Sequence, residues 1–231
     1  MKLAKLLTAV SVALVAAMVL ASSASATVCS GSGTGEACKT AAHGKHWTGS
    51  FDATSTSVTL TMTNGSGSAV RTLTCSSTLS GQVTNATTGA ATINSLTLSA
   101  CSIPNCTNLA FSLPRTGGSA FPWAATMTAS GLNNTNGILH ITGFSMKFTA
   151  TCNFITTSCE WEAATGTAEV KGGAPASIVF ASMPLEKKAG AEFICGTKAD
   201  WSGSTRSRLP PRSTSSRGGD SVAVSGSSGG G

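Results

Sequence analysis

The chain has 231 residues, is 10% charged and 41% hydrophobic, contains no tyrosine, and carries a formal net charge of +6. That charge is unevenly placed: Lys2 and Lys5 lie at the N-terminus, Arg206, Arg208, Arg212 and Arg217 stand against Asp220 in the last 30 residues, and nine basic and eight acidic side chains share residues 27–201. A near-neutral body without a basic cluster has no electrostatic footprint for phosphate, which excludes nucleic acid as a partner.

In chain order, residues 1–26 read as a secretory signal. Lys2 and Lys5 form the positive n-region, Leu6 to Leu20 an apolar h-region too short and alanine-rich for a stable span, and Ala24-Ser25-Ala26 a small-x-small cleavage site before Thr27. Thr27-Val28 ahead of Cys29 lacks the small pair that a lipidation site needs. No later apolar run is long enough to cross a bilayer, so a membrane-spanning protein is not expected. The body is large enough for one domain with a real core. Its surface is expected to be hydroxyl-rich, since charged residues fall far below the usual quarter and Ser, Thr, Gly and Ala supply the bulk.

Residues 27–56 read as an irregular Gly/Ser/Thr-rich lead-in, with Cys29 and Cys38 close enough to bond locally. From Ser57 the chain alternates apolar and polar residues with a period of two, the signature of strands with one buried face. Val58, Leu60 and Met62 share a face, Asn64-Gly65-Ser66-Gly67 turns, Val70 to Cys75 returns, and Leu79 to Thr84 continues past a bend. Between Ile93 and Leu96 the apolar phase shifts, which predicts a β-bulge. Leu109, Phe111 and Leu113 alternate, as do Trp123, Ala125, Met127 and Ala129, with Pro122 marking a strand entry. Phe144 to Cys152 and Cys159 to Ala163 read as a hairpin with a loop of about six residues, its outer face carrying Glu160 and Glu162. Thr165 to Lys171 and Ser177 to Met183 add strands, and the region of Trp201 closes the body.

The expected fold class is therefore all-β: an antiparallel β-sandwich or barrel-like domain over residues 57–201, stapled by disulfides, after a signal peptide and before a disordered tail. The tail, residues 202–231, is rich in Ser, Gly, Arg and Pro and lacks a core pattern. The body uses Arg only at Arg71 and Arg115 and otherwise Lys, whereas the tail uses only Arg. Such a switch is what an out-of-frame read of a GC-rich gene produces; resequencing the locus tests it.

All eight cysteines follow the signal: Cys29, Cys38, Cys75, Cys101, Cys106, Cys152, Cys159 and Cys195. An even count in an exported chain reads as disulfides, and the absence of a CxxC pair argues against zinc or thioredoxin-like chemistry. Connectivity stays open on spacing alone; Cys152–Cys159 is the simplest local pair, with Cys101–Cys106 and Cys75–Cys195 as its companions.

Few constellations could carry chemistry. Glu160 and Glu162 form a carboxylate pair of the kind glycoside hydrolysis uses, with Asp200 a third candidate. Catalytic pairs normally face each other across a cleft, however, and two acids on one outer strand face are more often solvated. His43-x-x-His46 offers two imidazoles to a metal, with only Glu36 or Asp52 as a nearby third ligand. His140 is a lone strand histidine. Trp47 and Trp201, in polar contexts, are the candidates for an exposed stacking platform, while Trp123 and Trp161 alternate with core residues. The one GxSxG match, Gly226 to Gly230, has no strand-turn-helix context. No cofactor is expected. The sequons at Asn64, Asn85, Asn105 and Asn133 are frequent by chance in a chain so rich in Asn and Thr.

Leu73 to Gly81 (LTCSSTLSG), Ile93 to Cys101 (INSLTLSAC) and Phe121-Pro122-Trp123, with Cys159 and Cys195, resemble a group of exported actinobacterial proteins of unknown function over about residues 70–201. The resemblance implies a secreted all-β domain without an assigned activity. It further implies Cys75–Cys101 and Cys159–Cys195, leaving Cys106–Cys152, and a further threonine-rich strand after Trp201. The functional expectation is an exported, non-enzymatic β domain, binding or structural at the cell surface or outside the cell, with a cell-wall glycan or another surface protein as partner. The alternatives are a secreted polysaccharide hydrolase using Glu160, Glu162 or Asp200, and a small-ligand carrier.

Overall fold

The structure, a computed structural model, describes residues 26–30, 45–115, 117–129, 136–172, 176–208 and 222–226. Nearly all of them are antiparallel strand: β1 (Ala26–Ser30), β2 (Lys45–His46), β3 (Gly49–Thr63), β4 (Ala69–Asn85), β5 (Ala90–Ser102), β6 (Cys106–Ser112), β7 (Trp123–Ala129), β8 (Gly137–Cys152), β9 (Ile155–Lys171), β10 (Ser177–Ala189), β11 (Lys198–Arg208) and β12 (Val222–Gly226). One helical turn, α1 (Glu192–Cys195), stands before β11.

Strands β3 to β11 form one sheet in the order β6-β8-β7-β5-β4-β3-β11-β10-β9, and β8 also pairs with β9. That last pairing closes the sheet into an antiparallel barrel, the second of the two architectures the alternation allows. Because β9 covers one edge of β8 along its whole length, β6 and β7 share the other edge end to end. They act as one stave interrupted by residues 113–122, so the barrel has eight staves running up and down in chain order. Closure removes the free edges that an open sheet would expose.

Eight staves enclose just enough room for side chains, and this chain fills it. Trp123, Trp161, Phe144, Phe148, Leu60, Met146 and Met183 are among the largest fully buried residues. Trp201 is buried as well, at 2% exposure, with its ring centroid 5.8 Å from that of Phe144. The expectation of an exposed Trp201 platform is thus corrected: Ala199 and Trp201 face the interior while Asp200 and Ser202 make the surrounding sequence look polar.

The inward phase changes partway along several staves. Leu139 and Ile141 give way to Phe144 and Met146 on β8, Trp161 and Ala163 to Ala168 and Val170 on β9, and Phe180 to Met183 on β10. Register shifts also fall between Ser55 and Val58 on β3 and around Asn94 on β5, where the sequence predicts its bulge. These irregularities bend the strands enough to curl the sheet shut. At the β8 bend Gly143 has φ 79°, and a Cβ there would lie 2.7 Å from Ser119 Oγ, so only glycine fits.

The β8/β9 hairpin is tighter than its expected six-residue loop. Asn153 and Phe154 alone make the turn, both with positive φ (50° and 68°), the combination whose twist matches paired strands. Cys152 and Cys159 both face inward, but Cys159 lies opposite Phe148 and Cys152 opposite Ile155. Strand rise separates them too far to bond. The bonds are instead Cys75–Cys101, Cys106–Cys152 and Cys159–Cys195, the pairs that the resemblance implies. The alternative set Cys101–Cys106, Cys152–Cys159 and Cys75–Cys195 is not the one found. Cys29–Cys38 lies outside the described side chains.

The two mouths differ. Toward one lie the three disulfides and α1. Over the other lies a small sheet ordered β12-β1-β2. Val28 of β1 is fully buried; its N–H donates to the Ala86 carbonyl (2.8 Å), and the Trp47 N–H donates to the Val28 carbonyl (3.0 Å). The boundaries read from composition move accordingly. The described parts of the lead-in are strand except at Trp47 and Thr48, β3 begins at Gly49, β4 is continuous through Asn85, and β11 runs past Trp201 to Arg208. Val222–Gly226, placed by composition in a disordered tail, pairs with β1. The signal segment before Ala26 and the rest of the tail lie outside the described residues.

Candidate functional site

The acidic pair sits on the outer wall. Glu160 and Glu162 face out from β9 because Cys159, Trp161 and Ala163 face in. Arg115, in the stretch between β6 and β7, reaches them. Arg115 Nη2 and Nε donate to the same oxygen of Glu162 at 2.7 and 3.2 Å, and its Nη1 lies 3.7 Å from Glu160. Lys147 Nζ from β8 lies 3.0 Å from the other Glu160 oxygen. The hydrogen bond from Arg115 holds Glu162 below the ordinary glutamate range, the charges of Lys188 and Arg115 act in the same direction, and partial desolvation opposes them. A lowered pKa is the opposite of the raised one that a general acid needs.

Asp200 does not join them. It lies on β11, with β10 between it and β9. Its carboxylate accepts a 2.9 Å hydrogen bond from Ser182 Oγ. Asp52, considered as a third metal ligand, accepts one from Ser80 Oγ at 2.6 Å. His46 is exposed and shares a 3.3 Å hydrogen bond with Thr87 Oγ1; His43 and Glu36 lie outside the described residues. Among the described residues no three His, Cys, Asp or Glu side chains gather as a metal site, and no helix is long and apolar enough to cross a membrane.

Trp47 is half-buried and packs on the core. With Val28, Phe51, Met127, Leu139 and Ile178 it lines an apolar cavity of about 40 Å³ under the small sheet. Small-molecule sites occupy roughly 300–1,000 Å³, so this space is a packing gap between cap and barrel.

A far larger depression, about 660 Å³, lies on the outer wall across β9, β10 and β11. Ala163, Ala164 and Thr165 line it on β9, Pro184 to Lys187 on β10, and Thr197 to Asp200 on β11. It forms where β9 and β10 part. Their ladder runs through Ser177–Val179 against Glu169–Lys171 and resumes only at Glu186 against Glu162. Between those points residues 163–168 and 180–185 have no partner across the gap, and Pro184 has no N–H to offer. Among the described residues Lys198 and Asp200, two apart on the outer face of β11, enter no ion pair, whereas Lys147, Lys171, Lys187 and Lys188 each do. Sequence reading names Asp200 but not this depression, since which strands part depends on register.

Much of the rest of the wall, above all on β3, β4 and β5, is hydroxyl. Thr59 and Thr61 on β3 stand opposite Thr74 and Thr72 on β4, and Thr78 stands between Thr54 and Thr97. Residues 72–114, covering most of β4, β5 and β6, contain no charged side chain at all. Asn64 and Asn85, two of the sequon positions, use their side-chain carbonyls to accept turn N–H groups, Ser66 and Ser68 for Asn64 and Thr87 and Thr88 for Asn85.

The molecule is thus a disulfide-stapled, closed antiparallel barrel with a filled interior and a polar outer wall. Compared with known proteins, the chain matches no family model, no curated protein and no solved structure.

Proposed function

We propose that the chain is an exported, non-enzymatic β domain that binds or builds through its outer wall, at the cell surface or outside the cell. The observation that carries this reading is the state of the carboxylate pair. Glu160 and Glu162 are tied to Arg115 and Lys147 on a wall, with neither facing a second acid across a cleft. Three disulfides support an oxidising compartment. The filled interior supports a surface rather than an internal ligand site, and the cavity of about 40 Å³ gives the carrier reading little room. Extended rows of Thr and Ser hydroxyls present donors and acceptors of the kind a glycan offers in return, which favours a cell-wall glycan or another surface protein as partner.

The test is a pull-down of the purified mature protein on cell-wall material and immobilised glycans, run beside a glycan-hydrolysis panel. Retention without product release is the expected result. Release of reducing sugar, lost in Glu160→Gln or Glu162→Gln, would overturn the reading in favour of the hydrolase.

A further inference from the structure

We propose that the depression across β9, β10 and β11 is a binding site for an extended peptide segment carrying one acidic and one basic side chain two residues apart. The inference deepens the binding reading above and rests on it.

The backbone argues first. Between Val179–Glu169 and Glu186–Glu162, residues 163–168 of β9 and 180–185 of β10 run in one register without ladder pairing to each other, each keeping its partner strand on the other edge. Backbone N–H and C=O groups are obligatory hydrogen-bonding groups, and an unpaired strand edge is the feature that extended peptides recognise by adding to a sheet. Ala163, Ala164, Thr165, Pro184 and Leu185, all within the parted stretch, line the depression. The short side chains of Ala164 and Thr165 leave that edge open to approach, and about 660 Å³ is room for several residues of chain.

The charges argue second. Lys198 and Asp200 line the same depression and point outward from one strand, with Ala199 facing in between them. Alternate residues of a strand are about 6.6–6.8 Å apart, and so are alternate side chains of an extended peptide. An acid and a base at positions i and i+2 of such a peptide therefore match Lys198 and Asp200 together. Four other described lysines form ion pairs, whereas Lys198 and Asp200 form none among the described residues; Glu186 stands across from Lys198 on β10, and Ser182 Oγ donates to Asp200, so an incoming acid competes with Glu186 for Lys198.

The lining argues third. It contains no aromatic ring, so a sugar would find no stacking platform. A saccharide is thereby the weaker occupant, although it shares the hydroxyl and carboxylate partners.

The experiment screens the full mature chain against a library of N-acetylated, C-amidated hexapeptides, with N-acetylglucosamine tetrasaccharide as the competing probe. Selected peptides are expected to carry an acid and a base two apart. Ala164→Trp, which fills the depression from an exposed position, is expected to weaken them at least about tenfold. The double reversal Lys198→Glu with Asp200→Lys is expected to select the opposite order of acid and base, a readout that a merely structural role would not move. Selection that ignores Ala164→Trp, selection without the charge pattern, an empty selection, or displacement of peptide by the tetrasaccharide each overturns the proposal. An empty peptide selection beside intact retention on cell wall sinks this inference alone. Glycan hydrolysis in the earlier test sinks the functional reading and leaves peptide selection to be judged separately.

Discussion

The two mouths of the barrel are closed by different physics. At one, Cys106 and Cys152 are direct partners across β6 and β8, Cys75 and Cys101 join β4 to β5, and Cys159 and Cys195 tie β9 to the helical turn. At the other, no described disulfide crosses. There a two-residue β2, a five-residue β1 and β12 lie over the opening, anchored by buried Val28 and by single backbone bonds to Ala86 and Trp47. The stapled mouth restricts the unfolded chain, so its stability survives imperfect packing. The capped mouth depends on apolar contact and retains a gap of about 40 Å³. In a chain with so few charges, covalent closure does at one end what a larger core would otherwise have to do.

The largest effect expected from breaking this contrast is at the stapled mouth. Replacing both Cys159 and Cys195 by Ser opens a 36-residue loop and is expected to cost about 3–4 kcal/mol by chain-entropy arithmetic, read as a lower denaturant midpoint with a steeper slope, since the freed unfolded chain exposes more surface. At the capped mouth, Val28→Ala is expected to cost about 1.5 kcal/mol, from the methyl groups withdrawn and the enlarged gap. A loss equal to that of the disulfide would show the cap to be an integral part of the barrel. In the interior between them, Ser77 is 3% exposed and its hydroxyl has no partner among the described residues. Ser77→Ala is expected to leave stability unchanged or raise it by up to about 1 kcal/mol in the same denaturation experiment.

The smallest effect belongs to the wall. Glu162 has its folded-state pKa lowered, so its contribution is present above the ordinary glutamate range and is lost as pH falls through the folded value. For a partly exposed pair the magnitude is under about 1 kcal/mol. Glu162→Gln should flatten the acid limb of the stability profile while leaving the neutral melting temperature nearly unchanged. An acid limb identical to that of the parent would assign acid sensitivity to other carboxylates.

Period-two alternation in the sequence marks the inward faces of β3, β7, β8 and β9, and the phase slip between Ile93 and Leu96 lies where the register shifts around Asn94. It also puts Cys152 and Cys159 on the buried face. These features are local, set by the pleat of a single strand. Trp201 defeats the same logic because its one inward neighbour before it is the small Ala199. Arg115, the residue that decides the fate of Glu160 and Glu162, is visible in the sequence only as one of two arginines in the body.

What the sequence by itself determined is the all-β class, the polar and sparsely charged character of the wall, and the inward phase of most strands, since each follows from side-chain type and a period of two. Tertiary structure alone decided that the sheet closes through β8 and β9, which cysteines meet, that β12 returns to β1, and that β9 and β10 part above Glu162. The physical reason is that alternation states which face of a strand is buried but not which strand lies beside it. Neighbours are chosen by register, bulges and closure, and these depend on all the staves at once.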